Sequence, residues 1–80
     1  VKGVLQRANF KKAQDLEAKG DVAGAAAAYE DFAKKNSGTE LATDAHFNAG
    51  VMYERAGDLA KAIAMYSAVL SDRASKKEDL

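Results

Sequence analysis

One stretch of the sequence recurs after 37 residues, and this repetition constrains the fold more than any other feature. GDVAGAAAAYEDF, residues 20–32, returns as GDLAKAIAMYSAV, residues 57–69, so the offset is 57 − 20 = 37 residues. Tyr29 thereby corresponds to Tyr66, and both stretches open on Gly-Asp. A fixed period of this size, with two helices in each unit, is the mark of a helical solenoid. We therefore predict a stack of helix pairs.

The composition suits long helices around a thin core. The 80 residues are 48% hydrophobic and 30% charged, contain no proline and are rich in alanine. We predict an all-α fold, an α-solenoid of antiparallel helix pairs, in a single domain over residues 1–80. Repeat one is expected at about 6–38 and repeat two at about 39–74. Because the chain starts on valine and ends just after a helix-start pattern, we expect a fragment of a longer repeat protein.

Apolar residues at three- and four-residue spacing predict four helices and an inward stripe on the first, second and fourth. The expected bounds are Val1–Lys19, Val22–Asn36, Thr39–Ala56 and Leu59–Arg73. The expected stripes are Leu5, Ala8, Lys12 or Ala13, and Leu16 in the first helix; Val22, Ala25, Ala26, Tyr29, Phe32 and Ala33 in the second; and Leu59, Ala62, Ile63, Tyr66, Val69 and Leu70 in the fourth. Small residues are expected to let the helices approach closely, at Ala25, Ala26 and Ala62 and at Gly50 of the third helix. Tyr29 and Tyr66 are expected to fill the gap to the next unit.

Helix ends are marked by glycines and capping residues. The two Gly-Asp pairs each end one helix on glycine and cap the next with aspartate. Ser37-x-x-Glu40 predicts a capping box for the third helix. Ser75-x-x-Glu78 predicts a second box, with a fifth helix that begins at the end of the chain.

Residues in both units match a known repeat pattern. The second unit carries Ala45-His46-Phe47-Asn48-Ala49-Gly50, Tyr53, Gly57-Asp58-Leu59, Ala62-Ile63, Tyr66 and Leu70, and the first keeps Phe10, Leu16, Gly20-Asp21, Ala25, Tyr29 and Ala33. Over these positions the chain resembles a tetratricopeptide repeat (TPR) protein, although Asn9, Lys12 and Ala13 depart from the family pattern. The period of 37 exceeds the usual 34. A longer linker of this kind is similar to TPR segments of bacterial cell-envelope proteins, which implies the periplasm or envelope, with the cytoplasm as the alternative.

The resemblance implies a module that binds a protein or peptide partner in a concave groove lined by the first helix of each pair. Carried over by position, the groove holds Arg7, Phe10, Gln14, Glu17, Asp44, Phe47, Asn48, Val51, Glu54 and Arg55. Such a mixture of aromatic, amide and charged groups can anchor an apolar side chain and hydrogen-bond a peptide backbone. Two alternatives stay open: an internal scaffold of a larger bacterial envelope assembly, and homodimerisation through apolar solenoid ends.

Two groove positions have two interpretations. Phe10 and Phe47 are either packing residues between the helices of a pair or exposed anchors in the groove, where they would form one apolar patch. They also stand where a carboxylate-binding TPR groove would need lysine or asparagine. We therefore expect no carboxylate-clamp binding of acidic chaperone tails.

The remaining features disfavour other classes of function. Lys plus Arg equals Asp plus Glu, 12 each, and no basic face is visible, so we expect no nucleic-acid partner. No apolar run reaches the ~18 residues of a membrane span, so we expect no direct membrane insertion. There is no cysteine, and the single histidine, His46, lacks clustered ligands and is expected to be a partly buried helix residue. We expect no metal, no cofactor and no enzymatic activity.

Overall fold

The chain folds into four α-helices joined by short turns. The computed structural model describes the backbone of residues 2–78 and the side chains of residues 9–73. The helices are α1 (Lys2–Ala18), α2 (Val22–Lys35), α3 (Glu40–Ala56) and α4 (Leu59–Glu78). Residues 2–78 contain no strand. The all-α class is confirmed, as are the starts of the second, third and fourth helices to within one residue.

The two Gly-Asp turns are built alike. Gly20 has φ 88° and Gly57 has φ 87°, in the left-handed region that glycine adopts without steric cost. At the first turn, Gly20 N–H donates to the carbonyl of Glu17 and Asp21 N–H donates to that of Leu16, both at 3.0 Å, and the second turn has the same pair of bonds. Each aspartate carboxylate then accepts the backbone N–H three residues on, at 3.0 and 3.2 Å. Both predicted caps are confirmed.

The link between α2 and α3 differs from the predicted capping box. The N-cap of α3 is Thr39, whose hydroxyl donates to the carbonyl of Asn36 at 2.7 Å. Gly38, with φ 86°, reverses the chain just before it. A box on Ser37 would require a helix that begins at Gly38, so that prediction is wrong.

The predicted fifth helix is also wrong. α4 continues without interruption to Glu78, and Ser75 lies inside it. From Arg73 to Glu78 the sequence contains no glycine or proline that would stop the helix. A Ser-x-x-Glu pattern marks a helix start only where the preceding residues leave the helical conformation.

The helices pack in chain order, α1 on α2, α2 on α3 and α3 on α4. The Cα trace measures 40 × 34 × 14 Å. A thickness of 14 Å fits two layers of helices whose axes are about 10 Å apart. The core is therefore a thin seam between the layers, made of two buried clusters that both contact Phe10.

Alanine fills most of that seam, as the composition indicated. The buried apolar residues are Ala13, Ala25, Ala26, Tyr29, Phe32, Ala33, Ala42, Ala45, Ala49, Met52, Tyr53, Ala62 and Val69. The α2 stripe is confirmed, with Val22 half-buried at its start. On α1 the alternative is resolved, since Ala13 is fully buried and Lys12 is exposed.

The predicted stripe of α4 is buried only along one side. Ala62 and Val69 lie against α3, whereas Leu59, Ile63 and Leu70 are 61%, 65% and 69% exposed. α3 is the one helix that packs closely against α4 among the described residues, so the other side of the stripe is uncovered.

The second tyrosine of the repeat packs inside its own helix pair. The ring of Tyr66 lies on Gly50 of α3, where a Cβ atom would come within 2.7 Å of a ring carbon. The close approach expected at Gly50 is confirmed. The expectation that Tyr66 fills a gap to the next unit is wrong, because its ring is used against α3.

Candidate functional site

A pocket opens where α1, α3 and the second half of α4 meet. Its volume is about 350 Å³, and it is lined by Phe10, Thr43, Asp44, Phe47, Asn48, Val69 and Arg73. Four of these residues, Phe10, Asp44, Phe47 and Asn48, belong to the predicted groove. The structure thus brings the middle of α1 and the first half of α3 together on one concave surface.

The two phenylalanines of the pocket have different environments. Phe10 is half-buried, and its ring packs edge-on against Tyr29 and Phe32 with centroid distances of 5.5 and 5.3 Å. Phe47 is 53% exposed, and its ring lies 6.0 Å from that of Tyr66 at a 50° tilt. Phe10 therefore fits the packing interpretation and Phe47 fits the exposed one, although both line the pocket.

Polar groups surround the aromatic rings. Asp44 and Arg73 are exposed, one on α3 and the other on α4, and Asn48 is half-buried one turn after Asp44. A primary amide both donates and accepts hydrogen bonds, while a carboxylate only accepts and a guanidinium only donates. The pocket therefore presents an apolar floor with donors, acceptors and both signs of charge.

Side chains near the pocket also fasten α3 to α4. Nδ1 of His46 lies 3.0 Å from Oδ2 of Asp72, and the hydroxyl of Thr43 donates to the same oxygen at 3.4 Å. His46 is half-buried, in agreement with its predicted role as a helix residue. Among the side chains of residues 9–73, no three His, Cys, Asp or Glu residues lie close enough to hold a metal ion.

Three predicted groove residues lie toward the other end of α1 and α3 and have partners in the fold. Glu17 accepts a hydrogen bond from the hydroxyl of Tyr29, and Glu54 accepts one from that of Tyr66, each at 2.9 Å. Nη1 of Arg55 lies 3.8 Å from Oε2 of Glu17, which links α3 to α1. These groups hold helices together in this structure.

The comparison with known families agrees with this architecture. The family model described as tetratricopeptide repeat matches residues 10–78. The chain belongs to the tetratricopeptide repeat family. TPR domains are generally protein–protein interaction modules and typically have no enzymatic activity. No curated protein and no solved structure matches the chain significantly, so the likeness to envelope proteins stays a prediction.

One tyrosine–glutamate hydrogen bond spans each helix interface of this TPR domain. Tyr29 bonds Glu17 across α1 and α2, and Tyr66 bonds its glutamate across α3 and α4 with the same 12-residue separation. Between α2 and α3 the hydroxyl of Tyr53 donates to Glu30. Burial, helped by the neighbouring carboxylate, raises the pKa of Tyr29 to about 12 and that of Tyr53 to about 12. Desolvation and its glutamate likewise raise the pKa of Tyr66.

Two further predicted groove residues, Gln14 and Val51, lie outside the pocket. Gln14 is exposed on α1, and Val51 is half-buried against the core. The side chain of Arg7 lies outside the described residues. Sequence reasoning missed Thr43, Val69 and Arg73 as pocket residues. Predicting Val69 and Arg73 would have required the register of α4 against α3, and helical periodicity does not determine that register.

No helix within the described part of the chain combines the length and the apolar character needed to cross a membrane.

Proposed function

We propose that this TPR domain binds a segment of a partner protein in the pocket between α1 and α3, with Phe47 as the contact for an apolar side chain. The observation that carries the proposal is the ring of Phe47, 53% exposed beside a concave surface of about 350 Å³. In this proposal the pairs α1–α2 and α3–α4 are two repeats of a single domain. Binding would remove the ring from water and fill the pocket.

The apolar floor of the pocket is ordered before a partner arrives. Phe10 is held by ring contacts with Tyr29 and Phe32, two side chains that are almost completely buried. Binding then does not need to immobilise Phe10, which lowers the entropic cost of association. A preformed apolar floor beside one exposed aromatic ring favours a partner with a single large apolar side chain.

The polar rim suits the backbone of that partner. Asn48 and Thr43 offer donors and acceptors to peptide groups at the edge of the pocket. Asp44 on α3 and Arg73 on α4 carry opposite charges at the pocket, and the whole chain has a formal net charge of zero. The pocket therefore favours neither strongly acidic nor strongly basic segments, and we expect the apolar contact to supply most of the affinity.

Selection from a random-peptide library against the folded protein tests this proposal. We expect the selected peptides to share one large apolar or aromatic residue, and Phe47→Ala to weaken their binding by about tenfold or more. The matched control is Leu59→Ala, since Leu59 is exposed to a similar degree but lies at the first residue of α4, outside the pocket. The affinity of Leu59→Ala for the selected peptides should equal that of the natural chain.

Titrations by fluorescence anisotropy, with the protein kept below about 5 µM, give the affinities. Circular dichroism checks that each variant is folded. Equal binding by Phe47→Ala and the natural chain would contradict the proposal, as would a loss of binding in Leu59→Ala alone.

A further inference from the structure

Two charged side chains at the pocket have no partner within the described part of the fold. Asp44 of α3 and Arg73 of α4 both line the pocket, and both are exposed. The ion pairs and side-chain hydrogen bonds among residues 9–73 include neither of them, so they also do not pair with each other. Two unlike charges therefore stand at one pocket without neutralising each other.

The other charged residues of the predicted groove whose side chains are described already have partners. Glu17 and Glu54 each accept a hydrogen bond from a tyrosine hydroxyl, and Arg55 lies within ion-pair distance of Glu17. These three groups hold helices of the domain together. Among the described groove residues, the charges left for a partner protein are therefore those at the pocket.

Asp44 lies on the side of α3 that is turned toward α1. Arg55, which follows Asp44 by 55 − 44 = 11 residues, lies 3.8 Å from Glu17 of α1. At about 3.6 residues per turn, side chains separated by that number of residues point within about 20° of each other. Asp44 therefore has nearly the direction of a side chain that reaches α1, but nearer to the start of α3.

Arg73 lies on the other side of Phe47, toward α4. Thr43 marks this side of α3, because its hydroxyl donates to Asp72, the residue that precedes Arg73 in α4. With about 100° between successive side chains, the direction of Phe47 falls between those of Thr43 and Asp44. The exposed ring of Phe47 is thus flanked by an acidic group on the α1 side and a basic group on the α4 side.

We propose that the partner segment carries one charge of each sign around its apolar residue. A lysine or arginine of the segment pairs with Asp44, and an aspartate or glutamate pairs with Arg73, so the segment crosses α3 from the α1 side to the α4 side. This inference rests on the proposed function, because it places the apolar residue of the segment against Phe47. The apolar contact supplies most of the affinity, and the two charges decide which apolar segments are chosen.

The exposure of both groups sets the expected size of the effect. An exposed ion pair changes an affinity by about two- to fivefold, and two like charges weaken it to a similar degree. Reversing either Asp44 or Arg73 should therefore change the affinity for one peptide by about three- to tenfold. At about 1 M salt the preference should nearly vanish, because the Debye length falls to about 3 Å.

Selection from a charge-restricted peptide library tests this inference. Each displayed peptide carries one central large apolar residue, and only lysine, glutamate and serine are allowed at the flanking positions. Relative to the unselected library, the natural chain should enrich peptides with lysine on one side of the apolar residue and glutamate on the other. Asp44→Lys should enrich glutamate on both sides and Arg73→Glu should enrich lysine on both sides, whereas the double variant should again enrich one of each.

Matched controls separate the pocket from the net charge of the protein. Asp15→Lys and Lys19→Glu make the same changes of net charge at exposed positions outside the pocket, and both should select the same peptides as the natural chain. Fluorescence anisotropy at about 0.15 and about 1 M NaCl gives the affinities of the selected peptides. Circular dichroism verifies that every variant is folded, which is expected because each replaced side chain is exposed.

The outcomes distinguish this inference from the proposed function on which it rests. Peptides that need Phe47 for binding but carry the same charges for every variant would overturn the inference and leave the proposed function intact. A charge preference that also changes in Asp15→Lys or Lys19→Glu would overturn the inference in the same way. Selected peptides that bind Phe47→Ala as tightly as the natural chain would overturn both, as would a library from which no peptide is selected.

Discussion

At the scale of single residues, Gly50 shows how one missing methyl group sets a helix contact. Glycine is a poor residue for the middle of a helix, by about 1 kcal/mol relative to alanine. Here the face of Gly50 is occupied by the ring of Tyr66, which passes closer than any Cβ would allow. The loss of helix propensity is offset by the packing of the half-buried Tyr66 ring, whose hydroxyl donates to Glu54.

Replacing Gly50 with alanine tests this account, because the change in stability should have opposite signs with and without the ring of Tyr66. In the natural chain, Gly50→Ala should lower the free energy of unfolding by about 1 kcal/mol, because the displaced ring costs more than the improved helix propensity contributes. In a Tyr66→Ala background the same change should raise it by up to about 1 kcal/mol. Urea denaturation of the four proteins gives both values. The same sign in both backgrounds would show that Tyr66 does not set this requirement.

At the scale of elements, the alanine stripes of α2 and α4 determine how near the layers lie. Ala25 and Ala62 are equivalent in the repeat and are 0% and 3% exposed. Two residues further on, Ala27 and Ala64 are also equivalent, and both are exposed. The chain thereby contains two matched pairs of buried and exposed alanines in the same helices.

Leucine at these positions should separate packing from helix propensity. Ala25→Leu and Ala62→Leu should each destabilise the fold by roughly 1–3 kcal/mol, because leucine overfills a close helix contact. The matched variants Ala27→Leu and Ala64→Leu should change stability by less than about 0.5 kcal/mol. Thermal melts compare the four. An equal effect at buried and exposed positions would mean that the packing faces are wrongly assigned.

At the scale of the whole molecule, each successive pair of helices is joined by a hydrogen bond from a tyrosine to a glutamate. The three bonds tie α1 to α2, α2 to α3 and α3 to α4. Each requires a protonated hydroxyl, and ionisation would place a phenolate beside a carboxylate. The stack as a whole should therefore respond to alkaline pH.

The sign of that response follows from the raised pKa values. The pKa of Tyr29 and of Tyr53 rises from 10.0 to about 12 on folding, so the folded state holds these protons more tightly than the unfolded state. Their contribution to stability is complete below pH 10 and is lost as the pH rises from about 10 to about 12. Melting temperatures should be steady up to pH 10 and fall above it.

Phenylalanine variants identify the groups responsible. The double variant Tyr29→Phe, Tyr53→Phe should be less stable near neutral pH, by about 1 kcal/mol for each lost hydrogen bond, and should show a shallower alkaline decline. Melts followed by circular dichroism between pH 8 and 12 measure both. An equally steep decline in the double variant would assign the alkaline sensitivity to other groups.

The sequence by itself determined the features that depend on neighbours along the chain. Helical periodicity located the helices, the Gly-Asp pairs located two turns, and the 37-residue offset related one helix pair to the other. These succeeded because capping, left-handed glycines and amphipathic stripes act within a few residues. The same local rule misled at Ser75, where nothing before the Ser-x-x-Glu pattern ends α4.

Only the tertiary structure decided which helix faces are buried and which are exposed. Phe10 and Phe47 occupy equivalent positions, and each ring lies against the tyrosine of its own helix pair. Phe10 also packs on Phe32, whereas α4 has Val69 at the equivalent position and Phe47 remains about half exposed. The pocket includes Arg73 because the register of α4 against α3 brings it there. The α4 stripe looks like that of α2 in sequence, and it stays open because burial depends on what packs against it. Periodicity identifies an apolar face, whereas the contacts of the fold decide whether that face is core or surface.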